Sequence, residues 1–202
     1  MPTLPHSPAA DRNKQPILEV LQRVLPARGT ALEIASGTGQ HAAWFAAGLP
    51  GWRWQPSEAD AALLPGIAGW TGGLPNVEAP VLLDVMAAQW PSAAKPFTQR
   101  FDAIFCANLL HIAPWPVCAA LMQGAARHLA PGGVLVTYGP YVEDGVPTAP
   151  SNLAFDESLR MRDPAWGIRR LEDVAAQAKA AGLGLRERHA MPANNLLLVF
   201  GR

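Results

Sequence analysis

One run near the start of the chain, Ala31-Leu32-Glu33-Ile34-Ala35-Ser36-Gly37-Thr38-Gly39, constrains its fold more than any other. Apolar residues around a single acid read as a short buried strand, and two glycines spaced by one residue turn the backbone at its end. Residues 40–47 continue as a helix. A parallel strand that ends in a glycine turn makes a binding site at the carboxyl edge of a sheet. Glycine supplies positive φ there and lets a ligand approach the main chain closely. The next helix adds free N–H groups and the positive end of its dipole.

Two ligand classes compete for such a loop. Gly37, Gly39 and Ala42 fit the dinucleotide pattern G-x-G-x-x-G/A, in which a pyrophosphate meets the helix N-terminus. S-adenosylmethionine (SAM) carries no phosphate, and its loop resembles E/D-x-G-x-G-x-G. Glu33 stands at the acid position and Ala35 and Ser36 precede Gly37 and Gly39. An acid so near the turn repels a pyrophosphate and attracts the SAM ammonium, which favours SAM over NAD(P).

The remaining chain alternates strands and helices. Residues 7–15 are polar and unpatterned, a leader that reads as a frayed tail or as a cover over the ligand site through Arg12 and Asn13. Pro16 is expected to open the first helix. A second strand over 52–57 ends at Glu58, close to the distance from the glycines expected of an acid that binds a ribose diol. Glu58 also reads as an N-cap, with Asp60 a substitute for the ribose role. A weak helix over 61–70 is interrupted at Pro65-Gly66, and an edge strand over 77–83 ends in Asp84-Val85. Asp84 suits an adenine amino group and Val85 the ring, or Asp84 merely solvates a loop.

The fourth strand, 101–108, is apolar enough for burial on both faces and delivers Asn108 and His111 to the same edge. His111 is the candidate general base and Asn108 an orienting group or a cofactor contact; a locally packed loop histidine is the plainer reading of His111. A helix over 114–128, a turn at 130–133 and a fifth strand over 134–138 follow. Residues 139–167 as a whole match neither period, although Phe155, Leu159 and Arg162 fall at helical spacing, and the segment is long for a connection, which marks a flap or lid. Tyr141, Asp156, Arg160, Arg162 and Trp166 in it, with Asn194 later, are candidate acceptor-site residues; the alternative is a salt-bridged scaffold. A helix over 169–181 and a hairpin of strands 183–189 and 196–201 complete an α/β fold, doubly wound and mostly parallel, with helices on both faces.

The length of 202 residues suits one domain, with residues 1–15 as its leader. Lys plus Arg and Asp plus Glu each number 16, so charge gives no reason to expect nucleic acid or an anionic membrane, and a small-molecule partner fits better. The start of the chain lacks a signal-peptide pattern, and no run approaches the ~18 apolar residues of a membrane helix. Cys106 and Cys118 lack C-x-x-C spacing, and the five histidines show no ligand spacing, so free thiols, no metal and a cytoplasmic location are expected. Oligomeric state is open.

Several blocks carry a family likeness: S-P-A-A-D-R-N-K-Q-P-I (7–17), L-E-I-A-S-G-T-G-Q-H (32–41), W-Q-P-S-E (54–58), Y-G-P-Y (138–141), the long run 152–169, and M-P-A-N-N (191–195). On these the chain resembles the family known as domain of unknown function 938, whose animal relatives are called methyltransferase-like protein 26, within the class I SAM-dependent methyltransferases. Glu58 stands where that family more often has Asp. The resemblance implies a Rossmann-like class I sheet and SAM as cofactor. The function expected is methyl transfer to an unidentified small molecule, with a non-catalytic SAM-binding module as the alternative.

Overall fold

A computed structural model describes residues 3–92 and 94–202. Helix α1 (Pro8–Val24) precedes strand β1 (Gly29–Ile34), helix α2 (Gln40–Gly48), strand β2 (Trp52–Glu58), helix α3 (Leu64–Thr71) and the short strand β3 (Val81–Leu82). Strand β4 (Phe101–Ala107), helix α4 (Pro116–His128), strand β5 (Leu129–Gly139) and the two-residue β6 (Tyr141–Val142) follow. Helix α5 (Pro150–Arg162), β7 (Arg169–Arg170), helix α6 (Leu171–Ala180) and the hairpin β8 (Gly184–Met191) and β9 (Asn195–Gly201) close the chain.

The main sheet has the order β3-β2-β1-β4-β5-β9-β8. Strands β1 to β5 run parallel, with Glu33 opposite Pro56 on one side and Phe105 on the other. Only β9 runs the other way, antiparallel to β5, from Gly139↔Leu196 onward, and to β8. Strand order reverses between β2–β1 and β4–β5, so the carboxyl ends of β1 and β4 flank the crevice where such sheets bind ligands.

Side chains alternate across the strands, and each face gains its own apolar layer. Ala31, Phe105, Val136 and Val199 pack under α1 and α2 with Ile17, Leu18 and Phe45. Leu32, Ile104, Leu135 and Leu198 pack on the other face with Leu121 and Met122 of α4 and Val174 of α6. Helices on both faces and the terminal antiparallel hairpin are as expected from sequence.

Several boundaries differ from the sequence reading. Helix α1 begins at Pro8, because Ser7 caps it, its side chain accepting from Ala10 N at 3.3 Å, with Pro8 in the first turn. Pro16 therefore lies inside the helix, and the residues read as a leader form its first two turns. Pro65 sits in the opening turn of α3 and does not interrupt it. The third strand shrinks to Val81–Leu82, with an isolated bridge from Trp54 to Val77. Residues 130–133, expected as a turn, run within β5, where the register with β4 shifts between Phe101 and Ala103. Half of the segment 139–167 is helix α5, which starts with a proline.

Candidate active site

The turn after β1 is built by the backbone. Ala35, Gly37 and Gly39 have φ of 55°, 57° and 88°. Ser36 N donates to Ser57 O at 2.9 Å, and Gly39 N closes back on Ser36 O at 2.9 Å, fixing the loop to the end of β2. The two glycines serve different ends. A Cβ at Gly39 would lie 2.7 Å from Ile67 Cα, so that glycine lets α3 pack on the loop. A Cβ at Gly37 would meet nothing within 4 Å, so its side of the loop is open.

Glu58 stands behind that open side. Its Oε2 accepts from Gly37 N at 2.9 Å and its Oε1 from Ala59 N at 2.8 Å. A carboxylate has about four lone-pair positions, so each oxygen keeps one free. The N-cap of the next turn is Asp60, whose carboxylate accepts from Ala62 N at 2.9 Å. Capping therefore falls to Asp60 and leaves Glu58 on the glycine loop.

The structure gives Glu33 a different place from the one its charge suggested. It is 2% exposed, and Trp54 Nε1 donates to its Oε2 at 2.6 Å within the core. Burial pushes its pKa up to about 8, against the bonds from Trp54 and Ser36 that lower it. The carboxyl is thus largely protonated at neutral pH, and it supports the loop from within instead of presenting a negative charge to a ligand. Asp84 is exposed beyond the outer strand and accepts from Met86 N at 2.9 Å. Val85 next to it is buried with Leu83 in the core.

Beside the loop lies a cavity of about 830 Å³, within the range of small-molecule sites. One face of α1 (Ala9, Arg12, Asn13, Pro16) forms a wall, and Ser151, Asn152 and Phe155 of α5 form the facing one. Asn108, His111 and Ile112 after β4, and Tyr138 and Pro140 at the end of β5, line it, together with Pro192, Ala193 and Asn195 of the β8–β9 turn. Helix α1 ties cavity to loop: Ser7 N donates to Gln40 Oε1 at 2.5 Å, and Asn13 Oδ1 lies 2.6 Å from His41 Nε2. Among the described residues, the non-glycine residues with left-handed φ are Ala35, Asn108, Ala193 and Asn194, all at this edge of the sheet. Such backbone costs on the order of 1–3 kcal/mol per residue and collects where geometry serves a site.

His111 is buried, and its ring meets that of Phe155 edge to face at 5.8 Å. Burial, with the Arg169 charge second, lowers its pKa to about 4, so the imidazole is neutral and able to accept a proton. Arg169 also fixes the loop from below, donating to Leu110 O at 2.9 Å and Ala113 O at 2.7 Å.

The structure therefore brings Arg12, Asn13, Asn108 and His111 together and leaves the flap candidates apart. Tyr141 turns its hydroxyl to Thr137 Oγ1 at 2.8 Å, away from the cavity. Asp156 accepts from Arg160 Nε at 2.8 Å and from Ile168 N at 2.7 Å. Arg162 lies over the Trp166 ring at 4.9 Å. None of these five residues is among the cavity's lining; the face of α5 turned to it carries Ser151, Asn152 and Phe155. Asn194 donates to Ser151 Oγ at 3.2 Å and lines a smaller neighbouring pocket. Tyr138, Asn152, Phe155 and Asn195 were not chosen as site residues from the sequence, although all four lie within the family-like blocks, Tyr138 near the end of β5, Asn195 at the start of β9, and Asn152 and Phe155 on α5.

The chain matches, over residues 4–202, the family described as "Protein of unknown function (DUF938)". It belongs to that family. Solved structures share the fold at low identity. An O-methyltransferase family protein from Burkholderia thailandensis superposes with a TM-score of 0.75 at 20% identity, over 96% of this chain and 57% of that one. Mitomycin 7-O-methyltransferase gives 0.78 at 17%, over 96% and 55%. Human N-acetylserotonin methyltransferase, solved in complex with SAM, gives 0.77 at 13%, over 96% and 52%. The chain thus spans little more than half the length of these proteins. At such identities the likeness is one of fold. Among the described residues, no helix is long and apolar enough to cross a membrane.

Proposed function

We propose that this chain is a SAM-dependent methyltransferase that acts on a small molecule in the cavity beneath α1. The observation that carries the reading is the open side of Gly37 backed by the Glu58 carboxylate, joined through α1 to a cavity that ends at a neutral histidine. The residues suit the cofactor. Gly37 leaves the room a ribose needs, and Glu58 keeps lone pairs for its two hydroxyls. Asp84 is the partner for the adenine amino group. The Arg12 side chain has no salt bridge or hydrogen bond among the described residues and is the cation for the SAM carboxylate. The fold neighbour solved with SAM supports the same cofactor.

When bound, SAM supplies a methyl carbon on a positively charged sulfur that leaves with the bonding pair. The protein's own work is orientation, exclusion of water and handling of one proton. Phe155, Pro16, Pro140 and Pro192 give the cavity its apolar walls. His111 stays in the accepting form across neutral pH, and a base lowered to about 4 captures a proton as the acceptor hydroxyl becomes acidic during transfer. Asn108, held at φ 62°, orients that hydroxyl.

Calorimetric titration with SAM, S-adenosylhomocysteine and NAD tests the cofactor, and labelled SAM incubated with a metabolite extract tests transfer. Binding of NAD with indifference to SAM sinks the reading. SAM binding with no labelled product from any extract favours a non-catalytic binding module.

A further inference from the structure

Two asparagines that line the cavity have their hydrogen bonds arranged alike, and the proposed function does not use them. Asn152, in the first turn of α5, is 7% exposed, and its Nδ2 donates to Asn194 O at 3.0 Å. Asn195, at the start of β9, donates from its own Nδ2 to Pro192 O at 3.0 Å and to Ala193 O at 3.3 Å. A backbone carbonyl only accepts, so in each carboxamide the NH₂ is the end turned to the β8–β9 turn. The oxygens are left over, and neither accepts a hydrogen bond from a described residue.

The turn is shaped for this arrangement. Ala193 and Asn194 both hold left-handed φ of 57°, a strained backbone for residues with a Cβ. The successive carbonyls of 192, 193 and 194 are the ones that take the two NH₂ groups. Among the described residues, the unpaired side-chain oxygen that is sealed inside the protein belongs to Glu172. The Asn152 oxygen is therefore unpaired yet reaches open space. Asn152 and Asn195 both line the large cavity and the neighbouring pocket of about 220 Å³, so these two spaces share them as a common wall. A ligand that displaces water from that wall has to supply the donors itself.

Charge and valence select among donors. Among the described residues no Asp or Glu lines the cavity, whose lining charge is that of Arg12. In the pocket, Glu143 accepts from Arg188 with both oxygens, at 2.6 Å each, and is neutralised. An ammonium group would lose its hydration here with no free carboxylate in exchange. A hydroxyl would bring lone pairs that the committed NH₂ groups cannot satisfy, whereas an amide nitrogen brings donors alone.

We infer that the methyl acceptor carries a neutral amide N–H, of the carboxamide or lactam kind, which the oxygens of Asn152 and Asn195 bind where the cavity meets the pocket. This rests on the cavity being the acceptor site. A site built to pair a polar group discriminates strongly against an analogue that lacks it.

The test uses the full chain labelled with ¹⁵N-asparagine. Benzamide and acetophenone have nearly the same shape and share a carbonyl, and only benzamide has an NH₂ group. Benzamide should bind at least tenfold more tightly, and it should shift the side-chain NH₂ signals of Asn152, which are assigned by their absence in Asn152→Asp. In Asn152→Leu its advantage over acetophenone should fall below threefold. Asn152→Asp keeps an acceptor and adds a charge, so benzamidinium should bind it at least tenfold more tightly than it binds the unsubstituted protein. Equal binding of benzamide and acetophenone by the unsubstituted protein overturns the inference, and that comparison needs no variant to fold. An advantage that persists in Asn152→Leu, or a folded Asn152→Asp protein indifferent to benzamidinium, overturns it as well. If Asn152 is only a strut between α5 and the turn, both variants lose melting temperature and the order of the probes does not change. None of these readouts involves SAM, so failure of the cofactor reading shows separately, as a chain that prefers benzamide and does not bind SAM.

Discussion

Gly37 and Glu58 are one unit: the glycine turns its N–H inward to the carboxylate and leaves its outer side clear. Gly37→Val fills that clear side and holds a branched residue at φ 57°, at a cost of roughly 1–3 kcal/mol. The protein should still fold, with a lower melting temperature, and calorimetry should detect no SAM binding. Retained SAM affinity in a folded Gly37→Val protein removes the loop from the cofactor site. Asp84→Ala should be milder, weakening SAM binding by about 1–2 kcal/mol, the scale of one hydrogen bond whose partner is left unmade. Its exposed position, with the Met86 N–H as its side-chain partner among the described residues, predicts a stability change of no more than about 0.5 kcal/mol.

The helices α1 and α5 decide what the cavity is. Removing residues 1–13 would take away the Ser7 cap, the Ser7–Gln40 bond and the Asn13–His41 bond together. Both SAM affinity and melting temperature should therefore fall, where a frayed leader would lower neither. On α5, Arg160 and Arg162 are committed to Asp156 and Trp166. Arg160→Ala and Arg162→Ala should each cost no more than about 1 kcal/mol of stability and leave turnover within twofold, while Phe155→Ala, which opens the wall beside His111, should lower turnover at least tenfold. A tenfold loss in either arginine variant with SAM affinity intact would return the acceptor site to the outer face of α5. What sequence could and could not show divides along these elements. The glycine turn, Glu58, the buried fourth strand and the terminal hairpin were legible because each follows from local spacing. Ser7-Pro8 was a legible cap overlooked because the polar residues after it lie mostly on the exposed side of α1. Helix α5 buries only Asn152 and Leu159, so the helical spacing of Phe155, Leu159 and Arg162 was a sign too short to set its bounds. The burial of Glu33 was not legible at all, since it depends on the Trp54 indole arriving from the neighbouring strand.

Across the whole molecule, buried groups whose protons are held differently in the folded and unfolded chain set how stability follows pH. Glu33 keeps its proton up to about 8 in the fold and would lose it near 4.5 in an unfolded chain. Between those values the native state binds a proton that the unfolded state has released, so stability falls as pH rises. His41 and His111 act in the opposite sense. Both stay neutral in the fold down to about 4 and would protonate near 6.5 when unfolded, so stability falls as pH drops below 6.5. His128, lowered by its partial burial, adds to that side. Each group contributes at most about 1.4 kcal/mol per pH unit. Below 6.5 the histidines outweigh the single glutamate, and above it the glutamate acts alone. The melting temperature should therefore peak near pH 6.5 and decline on both sides. Glu33→Gln keeps a neutral side chain that can still accept from Trp54, and it should abolish the decline between 6.5 and 8 and steepen the acid limb, where Glu33 no longer offsets the histidines. Circular-dichroism melts of both proteins from pH 5 to 8 make the comparison. A native profile that keeps rising to pH 8 would mean that Glu33 is ionised in the folded protein, and the negative charge behind the glycine loop would again have to be counted in what that loop can bind.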